Sequence, residues 1–292
     1  MIKRLCVIGV GLIGGSLARA LRKAAQVEEV VGCGRSRANL DRAVELGVID
    51  RYVDKPADAV AGADMVVLAT NLGAMDTIMP ALVPGLSDDC IITDVGSAKT
   101  QVNACAQRHL GAAAARFVAG HPIAGTERSG AEASFAELFQ DHRVILTPAA
   151  GTDSDAIKQV TEMWRHTGAI VRTMDDAHHD AVLAATSHLP HMLAFTLVDC
   201  LAGMDDSGEI FEFAAGGFRD FTRIASSSPE MWRDIAVDNR AALLDVCAAF
   251  ENSFRELRER IDAADVDALG DMFERAKRAR DQHYAAQSKS ED

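Results

Sequence analysis

The stretch Gly120 to Gly130, GHPIAGTERSG, sets a histidine directly before a proline and follows it with hydroxyl groups, an acid and a base among glycines. This is poor material for a helix or a core strand and good material for a loop that meets a ligand. Pro122 forces His121 into extended backbone and aims its ring away from any helix. A neutral imidazole, titrating near about pH 6.5, can accept a hydroxyl proton while hydride leaves the same carbon. His121 is therefore a candidate catalytic residue, and the competing role is a structural histidine bonded to loop backbone.

Three other groupings carry chemistry. TDVGSAKT puts Ser97 and Lys99 just past a strand ending at Asp94 and Val95. FRDFTRIA places Arg219 and Arg223 four apart, so on a helix they share a face and form an anion site, or else pair with Asp220 or Glu212. SHLPH spaces His188 and His191 three apart, which a metal pair tolerates. No H-E-x-x-H pattern surrounds them, so no metal is expected, and hydrogen bonding, substrate contact or a core position fits them better.

VIGVGLIGGS sets Gly9, Gly11 and Gly14 in the G-x-G-x-x-G spacing, after a predicted strand and at the start of a helix that includes Leu12 and Ile13. The first glycine permits the tight turn, the second lets backbone approach a pyrophosphate, and the third lets helix pack on strand. The helix N-terminus supplies amides and positive dipole to the phosphates. A merely tight structural turn is the competing reading. Such fingerprints continue to an acid at the end of the second strand, which holds the adenosine ribose. Here that strand ends VVGCGRSR, with no acid before Asp41. Gly34, Arg35, Ser36 and Arg37 offer room, two guanidinium groups and a hydroxyl, which suits a 2′-phosphate and leans toward NADP. Arginines also stack on adenine and tolerate NAD, or stay in solvent as loop charges.

These groups need elements to position them. Short β-branched runs (RLCVIG, EVVGC, MVVLAT, CIITDV, RFVAG, RVILTP and AIVRT) alternate with helical stretches through the first half. That alternation predicts an α/β, Rossmann-like, doubly wound parallel sheet. Ser36 caps the helix SRANLDRAVELG, which stops at Gly47. From about Asp175 the texture is all-helical, with a kink expected at Pro190 and a long apolar-spaced stretch from Pro229 to Ile261. The expected division is residues 1–172 for dinucleotide binding and 173–292 for a helical substrate and dimerisation domain. A wide apolar stripe on those helices predicts a homodimer. The tail AAQSKSED is expected to fray.

Composition narrows the class. The 292 residues carry 43 acids against 30 bases, a net charge of −13 that disfavours nucleic acid and anionic membranes as partners. No run approaches the roughly 18 uninterrupted apolar residues of a membrane span. The N-terminal apolar run is broken by glycines and has no signal-peptide cleavage pattern. Cys6, Cys33, Cys90, Cys105, Cys200 and Cys247 show no framework spacing and read as reduced thiols of a cytoplasmic protein.

Taken in order, VIGVGLIGGSLARAL, DVGSAK, GHPIAGTERSG, SHLPH and GGFRDFTRIASSSPEMWRDI closely resemble prephenate dehydrogenases, including the cyclohexadienyl and arogenate dehydrogenases of tyrosine biosynthesis. The resemblance runs from about Ile2 to beyond Ile235. It implies a nucleotide-binding domain, a helical dimerisation domain and NAD(P)-dependent oxidative decarboxylation of prephenate. It implies that His121 polarises the ring hydroxyl, Ser97 assists there, Arg223 binds a substrate carboxylate, His191 lies by the substrate, and Thr126 and Glu127 wall the cleft. An arogenate preference, a β-hydroxyacid dehydrogenase and a non-catalytic dinucleotide sensor are the alternatives. The first of these the sequence leaves open. A β-hydroxyacid dehydrogenase would need a catalytic lysine on a second-domain helix, and a sensor needs no base opposite nicotinamide. The chain ends after its helices, so no C-terminal ligand-sensing domain is expected, and feedback by tyrosine would act at the active site.

Overall fold

The computed structural model describes residues 1–288. Six parallel strands form one sheet: β1 (Ile2–Ile8), β2 (Val27–Cys33), β3 (Arg51–Tyr52), β4 (Met65–Leu68), β5 (Ile91–Asp94) and β6 (Phe117–Val118), in spatial order 3-2-1-4-5-6. Their central residues are apolar on both faces because helices cover both sides. Along β1, Leu5 and Val7 enter one core with Leu17, Val67 and Trp164, while Cys6 and Ile8 enter the other with Val66, Leu82 and Ile92. The strand order reverses between β1 and β4, and the carboxyl ends there open a crevice.

The covering helices follow local chemistry. They are α1 (Leu12–Lys23), α2 (Arg37–Glu45), α3 (Pro56–Val60), α4 (Met75–Leu82), α5 (Thr100–His109) and α6 (Ser154–Arg165). Ser36 Oγ accepts the Asn39 amide at 3.3 Å to start α2, and Gly47 at φ +66° follows its end. Asp153 caps α6 by accepting the Asp155 amide.

The last strands depart from expectation. RVILTP and AIVRT do not extend the large sheet: β8 (Arg143–Leu146) and β9 (Ile170–Thr173) pair in parallel in a separate sheet. Its third member is β7 (Gly120–Pro122), antiparallel to β8, so His121 sits in a strand and not in a loop. Pro122, whose fixed φ suits an extended chain and whose missing donor is tolerated at a strand end, closes β7.

From Asp176 the described residues are helical: α7 (Asp176–Leu183), α8 (Leu189–Ala202), α9 (Ser207–Glu212), α10 (Gly216–Thr222), α11 (Pro229–Asp238), α12 (Arg240–Asp262) and α13 (Val266–Ser288). At Pro190 the chain does not break. A π turn over Ala184–His188 absorbs the lost donor, with the Leu189 amide reaching back five residues to the Ala184 carbonyl. The long stretch expected from Pro229 to Ile261 is interrupted at Asn239. Residues Asp176–Ala202 are long and apolar enough, by length and composition alone, to cross a membrane. Counting uninterrupted apolar residues misses this run because Asp180, Ser187, His188 and His191 punctuate it. Met1–Leu243 is one compact unit, and the chain from Leu244 is a second, made of the rest of α12 and of α13. In that second unit Phe254, Val266 and Phe273 are more than half exposed. Of the polar tail, helix continues through Ser288 and residues 289–292 lie outside the described residues.

Asn39 joins the glycine turn to the segment after β7. Its Nδ2 donates to the Val10 carbonyl at 2.7 Å and its Oδ1 accepts the Ala131 amide at 2.9 Å. Replacing Asn39 with Ala strands both backbone groups, so urea denaturation should show a loss of about 1–3 kcal/mol with an unchanged slope.

Candidate active site

The three fingerprint glycines have three different surroundings. A Cβ on Gly9, at φ +98°, would lie 2.3 Å from the Ala69 carbonyl oxygen, and one on Gly14 would lie 2.5 Å from that of Gly9. A Cβ on Gly11 would meet nothing within 4 Å. Gly11 also begins α1 with no side-chain cap and no acid in the first turn. The first helical bond runs from Gly15 to Gly11, leaving the amides of Leu12, Ile13 and Gly14 without partners inside the helix. Open space, free amides and a positive dipole end fit a dinucleotide pyrophosphate. Gly11, Leu12 and Ile13 line a cavity of about 660 Å³.

Beyond β2 the two arginines differ. Arg37 Nε donates to the Tyr52 hydroxyl at 3.3 Å, which in turn donates to Asp41 at 2.7 Å. Arg35 is 88% exposed and 4.0 Å from Glu230, its side chain largely in solvent. The Ser36 hydroxyl is engaged in capping α2.

The rest of the cavity wall includes Ser97, His121, Thr126, Glu127, His191 and Arg223. Arg219 is exposed on α10 and is not part of the wall, so the four-residue spacing forms no paired anion site. Arg223, just past α10, instead forms an ion pair with Glu127. Thr126 Oγ1 accepts the Arg128 amide at 3.2 Å, which shapes the turn carrying Glu127.

His121 is held from below. Lys99 is fully buried, and its ammonium donates to the Asp94 carboxylate and, at 2.8 Å, to the Gly120 carbonyl. Asp94 Oδ1 accepts the Gly120 amide at 3.0 Å. Burial first, and then His179, Lys99 and His188, hold His121 well below the ordinary histidine value of 6.5. Its ring is a neutral acceptor near neutral pH.

His188 and His191 divide their tasks. His188 is buried, and Asn239 Nδ2 donates to its Nδ1 at 2.9 Å, so its proton sits on Nε2. That nitrogen faces the Ser97 backbone without a hydrogen bond of good geometry, and burial pushes the ring down to about 4. His191 donates from Nδ1 to the Ser187 carbonyl at 2.9 Å, which leaves Nε2 bare. Its ring stacks on Trp232 at 3.6 Å, and burial lowers it too. Among the described residues Asp76, Cys105 and His109 bring ligand atoms within 4.8 Å, but Arg108 binds the same Asp76 oxygen and the group lies off the cavity.

Sequence reasoning missed Trp232, Asn239, His179 and Asp180. Only the density of D-D-A-H-H-D could have signalled the last two.

An unpartnered pyrophosphate cradle facing a neutral, buried histidine is a geometry for moving hydride and a proton, which defines a nicotinamide-dependent oxidoreductase. Comparison with known proteins refines the class. Residues 17–173 match the family model described as prephenate dehydrogenase, nucleotide-binding domain, and residues 175–275 match that for the dimerization domain. The chain is 41% identical over 280 residues to the cyclohexadienyl dehydrogenase of Zymomonas mobilis, covering 95% of each. Among solved structures it resembles prephenate dehydrogenase from A. aeolicus in complex with hydroxyphenyl propionate and NAD+, at TM-score 0.89 and 36% identity, covering 96% of this chain and 98% of that one. It also resembles Synechocystis arogenate dehydrogenase, at TM-score 0.79 and 28% identity, covering 96% and 99%. This chain belongs to the prephenate dehydrogenase family, and its cofactor is NAD or NADP.

The depressed histidines carry a stability signature. His121, His188 and His191 stay neutral in the fold below pH 6.5, where their unfolded counterparts are protonated. The unfolded state then binds more protons, so stability falls as pH drops. Thermal melting between about pH 7 and 5 should show a steadily falling Tm, and replacing His188 by Gln should flatten that slope.

Proposed function

We propose that this chain catalyses the oxidative decarboxylation of prephenate to 4-hydroxyphenylpyruvate, with reduction of NAD or NADP, in tyrosine biosynthesis. The observation that carries it is His121, neutral, buried and facing a cavity whose other wall is the Gly11 cradle. Gly9, Gly11, Leu12, Ile13 and Gly14 hold the pyrophosphate, and the bound nicotinamide supplies the hydride acceptor. His121 takes the proton of the ring hydroxyl as hydride leaves the carbon bearing it. The para carboxylate then departs as carbon dioxide, its electron pair restores aromaticity, and the proton returns to the phenolate oxygen. Ser97 orients the hydroxyl, Arg223 binds the side-chain carboxylate, and His191, Thr126 and Glu127 shape the cleft. Arogenate is the second substrate, differing by an ammonium in place of the keto group, and the likeness to an arogenate dehydrogenase favours testing it.

Residues 1–172 serve as the nucleotide-binding domain and 173–292 as the substrate and dimerisation domain, in accord with the two family matches. The exposed Phe254, Val266 and Phe273 and the matched dimerization domain support a homodimer. Four buried free cysteines, Cys6, Cys33, Cys90 and Cys105, accord with a cytoplasmic enzyme.

Initial rates with prephenate or arogenate, crossed against NAD or NADP, test the reading. Silence in all four combinations, from folded protein that binds dinucleotide, would overturn it in favour of a sensor. His121→Asn should fold, bind dinucleotide and lose about 10²- to 10⁴-fold in kcat; near-normal turnover would remove it from catalysis. Arg35→Ala should raise KM for NADP more than for NAD, because it removes the freest guanidinium near the ribose. An equal effect on both would take Arg35 out of cofactor discrimination.

A further inference from the structure

Behind His121, away from the cavity, two buried groups continue in line. His121 Nδ1 lies 2.9 Å from His179 Nε2, and His179 Nδ1 lies 2.8 Å from Asp180 Oδ1. Neither His179 nor Asp180 lines the cavity, so neither touches substrate. Asp180 accepts the Lys99 amide at 2.8 Å and the Thr100 amide at 2.9 Å, one on each oxygen. Burial opposes its charge, but the hydrogen bonds from His179, Thr100 and Lys99 outweigh that and hold the carboxyl below its ordinary value. With Asp180 ionised, the proton between it and His179 belongs to Nδ1 of the histidine. With that proton on Nδ1, His179 turns Nε2 toward His121 as the acceptor for the Nδ1 proton of His121. What remains at the cavity is the bare Nε2 of His121.

We propose that His179 and Asp180 form a proton relay behind His121: they fix the tautomer that leaves Nε2 open to the substrate hydroxyl, and they carry the accepted charge inward. The proposal rests on the reaction assigned above. As the substrate O–H bond breaks, an N–H bond forms at His121 Nε2. The His121 Nδ1–H bond then breaks as one forms at His179 Nε2, so the cation rests on His179 beside ionised Asp180. Both transfers reverse when the phenolate oxygen is reprotonated. The surroundings give this a purpose. A cation confined to His121 would face burial, the ammonium of Lys99 and the ring of His188 from neighbouring elements. Asp94 answers Lys99, and Asp180 is the carboxylate behind His179, with Asp238 facing Asp180 from α11. His179 and Asp180 are thus positioning residues, acting through His121.

Two variants and one spectrum test this. His179→Gln keeps an acceptor for the His121 Nδ1 proton but cannot take it up, and His179→Leu removes both properties. Expected losses in kcat are about 10-fold and about 100-fold, with KM for prephenate within about threefold of the parent. In both, the acid limb of kcat/KM should move from its parental position, because His121 then titrates without the ring that shares its proton. A side chain that merely packs would leave that limb in place, so an unmoved limb with parental kcat overturns the relay. Nitrogen-15 NMR of histidine-labelled, ligand-free parent protein should show His121 protonated at Nδ1 and bare at Nε2. A proton on Nε2 overturns the proposal even if the variants do not fold. Because that spectrum needs no substrate, a wrong tautomer is distinguishable from failure of the assigned reaction, which the four-way rate assay reads.

Discussion

A single buried ammonium holds the site together. Lys99 has no access to water, and a charge in that position is tolerated only when its donors are taken up. Asp94 at the end of β5 answers it, and the Gly120 carbonyl of β7 takes another donor. The amide of the same residue is held by Asp180 of α7. Three elements distant in sequence are thereby fastened around one residue, and the backbone of His121 follows directly from the glycine so held. Removing one partner from such a buried ion pair costs about 3–5 kcal/mol, and β7 is tied to this pair through the carbonyl and amide of Gly120.

This arrangement also sets the electrical character of the cavity. A lysine, four histidines and two aspartates crowd together, and burial penalises the cations of His121, His188 and His191 so that those rings are uncharged near neutral pH. Neutral rings can accept a hydrogen bond where charged ones cannot. The protein as a whole is strongly acidic, and Arg223 brings a cationic group to the cavity wall, where Glu127 pairs with it.

Much of this was legible in the chain. The glycine spacing, the strand runs, the Ser36 cap and the Gly47 stop report local chemistry, and short-range physics decides them. His121, Ser97, His191 and Arg223 were visible as reactive types at strand or helix ends, and they line one cavity. What escaped depends on contacts between distant segments. Gly120–Pro122 has no strand signature of its own and becomes a strand because β8 offers it an antiparallel edge. Arg219 and Arg223 share spacing, but the end of α10 separates their directions. The contacts of His179 with His121, of Asn239 with His188 and of Trp232 with His191 each join residues about 40 to 60 positions apart, where no periodicity reaches.

The π turn at Ala184–His188 has a meaning for descent as well as for packing. In an unbroken α-helix Asp180 and His191, eleven positions apart, would point within about 20° of each other. The wide turn adds roughly one residue of rotation, about 100°, so one rod can turn Asp180 toward Lys99 and His191 toward Trp232. Those five positions therefore work as a phase adjuster. Loss of a single codon there would swing every later side chain of the rod to a new bearing and uncouple the two walls it serves.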